Sequence, residues 1–228
     1  IDDINLTADN NGLLPSTTAV TIASGATLDL NGQTQTIGSL AGATGSSVLN
    51  DASLASGGLN TDTTFAGVMS GTGSFTKEGT GIQTFSGTNT YSGTTDVDAG
   101  TLQLDNGAAI FDNGGAVSVA NGATLQLLAD ETIGSYIGEG DNVGTNDSTL
   151  ILDGFTLSTL GDATLGNVTT AAGAGIIADG SILDGDDDNN VTGPEIYLEA
   201  VSGIGTSADP IETAVDRIQL NNTLSGDV

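Results

Sequence analysis

The chain has no cysteine, no histidine and no tryptophan, and of its 228 residues only Lys77 and Arg217 are basic. Without cysteine there can be no disulfide, thiol nucleophile or thiolate metal site. Without histidine, and with two basic side chains in all, most general acid–base and anion-binding chemistry has no carrier. Aromatic residues are few, five Phe and three Tyr, which disfavours a stacking groove for bases or sugars. The longest nearly uncharged run of small residues, "TTAAGAGIIA" at 169–178, is too short and too glycine-rich to span a bilayer. Against this scarcity of cations stand 29 acidic residues and a net charge of −27. Such a polyanion repels nucleic acid and anionic membrane surfaces. No basic-then-apolar leader opens the chain at Ile1, and it stops at "LSGDV" inside strand-like sequence. The expectation is a segment of a longer protein.

What is abundant is glycine, 35 residues, set between short runs that alternate apolar with small or polar residues. "AVTIA", "ATLDL", "TLQLD", "AVSVA", "STLILDG" and "EIYLEAV" have the period of strands with one buried face. Val20, Ile22, Leu28, Leu30, Leu102, Leu104, Val117, Val119, Leu125 and Leu127 are expected to face inward. The Gly-rich pairs between them supply the positive φ that tight turns need. The one stretch with helix-start residues is "ADPIETAVDRIQL" (208–220), where Asp209, Pro210 and Glu212 suit a cap. Its neighbours are strands, and the preferred reading is an Asp-Pro turn followed by a strand with Ala214, Ile218 and Leu220 largely inside.

The sequence also repeats itself. "AVTIASGATLDL" (19–30) and "AVSVANGATLQL" (116–127) share 8 of 12 positions, and "TIGSL" (36–40) matches "TIGSY" (132–136). Repetition, sparse aromatics and many turns favour a parallel β-solenoid over a sandwich. At roughly 20 to 25 residues per coil the chain would make about ten coils and a rod of about 50 Å. The fold class expected is all-β, a right-handed parallel β-helix.

The segment "SGTGSFTKEGTGIQTFSGTNTYSGTTDVDAGTLQL" (70–104) resembles the autotransporter-associated β-strand repeat of bacterial passenger regions. The similarity extends over roughly residues 15–140. It implies that Phe75, Phe85 and Tyr91 are core or corner residues and that Gly71, Gly73, Gly79, Gly81, Gly87 and Gly93 permit corners. Asn89 suits a turn or an internal ladder in which its amide satisfies buried backbone groups. "IQTF" (82–85) departs from the Leu-Thr-Leu of the family, a change expected to leave the inward apolar positions undisturbed. The segment 191–228 resembles repeats of large haemagglutinin-like secreted β-helix proteins. Residues 1–140, 141–190 and 191–228 are therefore read as one continuous solenoid with an acidic-looped middle. The resemblance implies secretion and display at a bacterial cell surface, in a stalk, fibre or adhesin.

Candidate chemistry is thin. Lys77, in "TKEG", is expected to form a solvated ion pair with Glu78, and Arg217 a surface salt bridge with Asp216 or Glu212, so neither is read as a catalytic base. No catalytic residue and no cofactor is assigned. The acidic run "LDGDDDNN" (183–190) offers Asp184, Asp186, Asp187 and Asp188 as candidate calcium ligands, without the spacing of an EF-hand. "GEGDNVGTND" (138–147) reads as a solvated acidic loop. The partners expected are neighbouring coils or copies of the parent protein, and surface glycans or receptors. The competing readings are a carbohydrate-binding or carbohydrate-active β-helix and a calcium-stabilised filament subunit.

Overall fold

A computed structural model describes residues 4–5, 14–107, 109–110, 115–138, 148–184, 191–206, 210–211 and 213–222. All of its regular structure is strand, every described strand pair is parallel, and the described residues contain no helix. The strands stack into a β-solenoid of about nine coils with three faces. At roughly 4.8 Å per coil this makes a rod of about 43 Å.

The first face runs from Ala19–Ile22 through Ile82–Phe85, Thr101–Leu104 and Thr124–Leu127 to Asn167–Thr169. The third runs from Gln35–Ile37 through Ser74–Lys77 and Thr95–Val97 to Gly203–Ile204. Both are continuous. The second face begins with Ile4–Asn5, Thr27–Asp29, Ser47–Leu49 and Val68–Ser70. Among the described residues it next appears as strand at Glu131–Ile133, followed by Thr156–Thr159 and Gly175–Ala178. The long strand Val191–Ala200 then bends across a corner. Its start pairs with Asn167–Thr169 on the first face and its end with Gly175–Ala178 on the second. Thr213–Asn222 lies along it, so the strand reading of this region holds.

Register explains the core. Thr101, Leu102, Gln103 and Leu104 lie over Thr124, Leu125, Gln126 and Leu127, like residue on like residue. All ten aliphatic residues expected inside are buried, as are Phe75, Phe85 and Tyr91. Phe85 meets Phe75 at a ring separation of 4.9 Å and Phe65, one coil back, at 6.2 Å, edge-on. Burying such rings removes the largest apolar areas in the chain from water. The expected burial of Ala214, Ile218 and Leu220 is not met. Ala214 stands exposed beside Thr192. Ile218 and Leu220 continue the columns of Ile196 and Leu198 but stay 39% and 45% exposed on the last described strand.

One inward position differs from expectation. In Ile82–Phe85 the pattern puts Gln83 inside and leaves Ile82 half-buried outside. Gln83 occupies the column between Thr63 and Leu102, where the family-like sequence would place Leu. It is accommodated because its amide donates to the carbonyls of Thr63 and Thr84, each at 3.3 Å.

Candidate functional site

Among the described residues, the interior of the rod holds polar side chains that replace backbone pairing. Between Val68–Ser70 and Glu131–Ile133 the second face passes through two coils with no strand among the described residues. The backbone groups left over there must still be satisfied. Asn89 does this in both directions. Its Oδ1 accepts from the Met69 N–H at 2.8 Å, and its Nδ2 donates to the Ala109 carbonyl at 2.6 Å. The amide satisfies buried backbone groups as expected, but among the described residues no second asparagine stacks on it to make an asparagine ladder. One coil further, the buried Glu131 carboxylate accepts the N–H groups of Ala109 at 3.2 Å and Ile110 at 2.9 Å. Met69, Asn89, Ala109 and Glu131 thus form an unbroken hydrogen-bonded column across the gap.

Glu131 was not singled out by sequence, but a signal was present. "QTIG" (35–38) and "ETIG" (131–134) occupy equivalent places in the repeat. Both Gln35 and Glu131 are inward and buried. Gln35 uses its amide in the same way, donating to the Leu14 carbonyl at 2.7 Å and accepting the Leu14 N–H at 3.4 Å.

Tyr91 closes the corner beside this seam, its hydroxyl 2.5 Å from Thr95 Oγ1. Burial drives its pKa well above the ordinary tyrosine value, opposed by the Thr95 hydrogen bond and reinforced by Glu131 and Asp96. Burial raises Tyr136 likewise.

Lys77 is not the solvated partner of Glu78. It ends Ser74–Lys77 at an inward position and is 1% exposed. The alternation of the strand decides this, because Phe75 and Lys77 share a face. Its Nζ donates to the carbonyls of Glu78 at 2.6 Å, Gly79 at 2.8 Å and Ala99 at 3.1 Å. Gly79 has φ +65°, a conformation open to glycine at little cost. Burial lowers the Lys77 pKa, with Asp62 and Glu78 pulling it back up. Arg217 pairs with Glu195, its register partner on the adjacent strand, rather than with Asp216; Glu212 lies outside the described residues. In a strand the adjacent residue points to the opposite face, whereas the register neighbour stands alongside.

The acidic corners have a structural use as well. Asp62 Oδ1 accepts the N–H of Ile82 at 2.8 Å, Asp130 that of Thr156 at 2.8 Å, and Asp162 that of Ser181 at 2.7 Å. Each aspartate precedes a strand and caps the opening residue of the strand stacked on it. All three faces use the device. Of the calcium candidates, Asp184 ends the strand Ser181–Asp184, and Asp186, Asp187 and Asp188 lie outside the described residues. Among the described residues, no group of three or more acidic side chains is placed to hold a metal ion.

The family description of the passenger-associated-transport-repeat matches residues 75–104. The stretch contains Lys77, Gln83, Asn89 and Tyr91, whereas Met69, Ala109 and Glu131 of the seam lie outside it. With the parallel three-faced stack, the match makes this part of the chain similar to an autotransporter passenger β-helix repeat. Neither the curated proteins nor the solved structures hold a significant match to the chain.

Proposed function

We propose that the chain is a rigid spacer within a surface-displayed passenger, a stalk or fibre that carries other parts of its parent protein away from the cell. The observation that carries this reading is how the interior polar groups are employed. Lys77, Asn89, Gln35, Gln83 and Glu131 all make hydrogen bonds to backbone groups, most of them one coil away. Groups that elsewhere serve as bases, acids or ligands are committed here to holding the rod together. The work of the segment is to carry load and set distance rather than to catalyse. Its acidic corners keep neighbouring rods soluble and apart.

The test is exchange in the parent protein. Replacing the segment with an unrelated β-solenoid of the same number of coils should leave surface display and adhesion of intact cells unchanged. Deleting it without replacement should reduce adhesion while display persists. If the equal-length exchange abolishes adhesion, the segment itself recognises a ligand and the spacer reading fails.

A further inference from the structure

The corner that holds Lys77 has the composition of a cation site. Three carbonyl oxygens, from Glu78, Gly79 and Ala99, surround Nζ at 2.6 to 3.1 Å. Two of them come from the corner after the strand, and the third from the next coil. One coil back, the register partner of Lys77 is Ser56. Its hydroxyl is fully buried and has no hydrogen-bond partner among the described residues. It lies in the same inward column but makes no hydrogen bond to the ammonium, so the site consists of the three carbonyls. Burial disfavours the charge on Lys77, and Asp62 and Glu78 offset part of that cost.

Carbonyl dipoles aimed inward at a tight, glycine-built corner need a positive partner, since buried acceptors left unpaired are costly. Carbonyl and hydroxyl oxygens are the ligands that hard monovalent and divalent cations prefer. We infer that this corner is a cation-binding site of the β-solenoid whose resident cation is the chain's own Lys77 ammonium, and that it takes a small free cation of ammonium or potassium size when that side chain is shortened. The ammonium differs from a free ion in being tethered, so it arrives with its coil and locks that coil to the next. This goes beyond the spacer reading and stands or falls separately from it, because it concerns one corner and not the role of the rod.

The test compares wild type with K77A and K77M, each refolded and melted in ammonium chloride, potassium chloride or tetramethylammonium chloride at equal ionic strength. K77A should melt roughly 5 to 10 °C below wild type in tetramethylammonium, which is too large for the corner. Ammonium or potassium should restore at least half of that loss with a saturable dependence on concentration. K77M fills the space with methylenes and should not respond to either ion. Equal melting of K77A in all three salts, or equal rescue of K77M, would overturn the inference. Should K77A fail to refold in every salt, the wild type decides. Lys77 is the only lysine, so acetylation by a soluble amine reagent is read at one side chain. Acetylation of native protein as fast as of urea-unfolded protein would show an uncommitted amine and overturn the site. Protection when native, with loss of refolding after acetylation in urea, would support it.

Discussion

Asn89 and Ala109 stand one coil apart, joined by a 2.6 Å hydrogen bond from the side-chain amide of one to the carbonyl of the other. On the two neighbouring faces the same step is made by paired strands. Substituting N89D keeps an acceptor for the Met69 N–H but sets a carboxylate against the Ala109 carbonyl. A loss of about 2 to 4 kcal/mol is expected, from the unmet acceptor and the buried charge together. Urea unfolding of N89D would measure it, and a change under 1 kcal/mol would mean that the seam is not needed.

The aspartate caps predict a contrast. Asn supplies the same Oδ1 acceptor, so D162N should stay within about 0.5 kcal/mol of wild type, whereas D162A leaves the Ser181 N–H uncapped and should cost about 1 kcal/mol. Thermal melts of the two variants side by side test whether the acceptor or the charge matters.

Alkaline stability should be governed by the buried tyrosines. The folded pKa values of Tyr91 and Tyr136 are raised, so the unfolded chain ionises first, near pH 10. The folded state then holds more protons, and stability falls as pH climbs above that value. The slope is about 1.4 kcal/mol per pH unit for each tyrosine. Lys77, with its lowered folded pKa, acts in the opposite sense as pH approaches 10.5. Denaturant curves at pH 8 and pH 11 should show Y91F losing less than wild type between the two conditions. Equal losses would place the Tyr91 hydroxyl in water.

Gly87 packs against the preceding coil so closely that a Cβ would lie 1.8 Å from the Gly67 carbonyl oxygen. G87A should therefore cost more than about 3 kcal/mol through backbone displacement, far beyond a propensity effect. A G87A protein with a wild-type melting temperature would show that the coils can part at this corner.

Gln83 is the reverse case. Its amide donates to two carbonyls at 3.3 Å and accepts from the Thr63 hydroxyl at 3.1 Å, in a column that continues as Leu102 and Leu125. Q83L should stay within about 1 kcal/mol of wild type, because leucine extends the apolar column while the half-buried Thr63 hydroxyl loses an acceptor. A loss above about 2 kcal/mol in chemical denaturation would mean that the hydrogen bonds of Gln83 outweigh the gain in apolar burial.

The aliphatic columns were legible in the sequence because period-2 alternation of Val, Ile and Leu has one physical meaning in a strand. The polar inward residues were harder to see. Lys77 and Glu131 are residue types that usually face solvent, and only stacking against another coil shows which backbone groups they meet. Their sequence neighbours gave the phase, since Phe75 sets the face of Lys77 and Ile133 that of Glu131. The pairing of Arg217 with Glu195, 22 residues away, depends on coil length, which alternation alone does not measure.

The two most similar stretches of the chain do not stack on the same face. Ala19–Ile22 lies on the first face, but its counterpart Val117–Val119 lies on the third. Likewise Thr27–Asp29 is on the second face and Thr124–Leu127 on the first. What is repeated is a strand, a turn and a strand, with no allegiance to a position around the axis. Such a rod can gain or lose a third of a revolution while the coils beyond it keep their sequence. Its loops can consequently be re-aimed around the axis by a single-strand insertion, which gives this architecture angular as well as axial freedom in where it presents them.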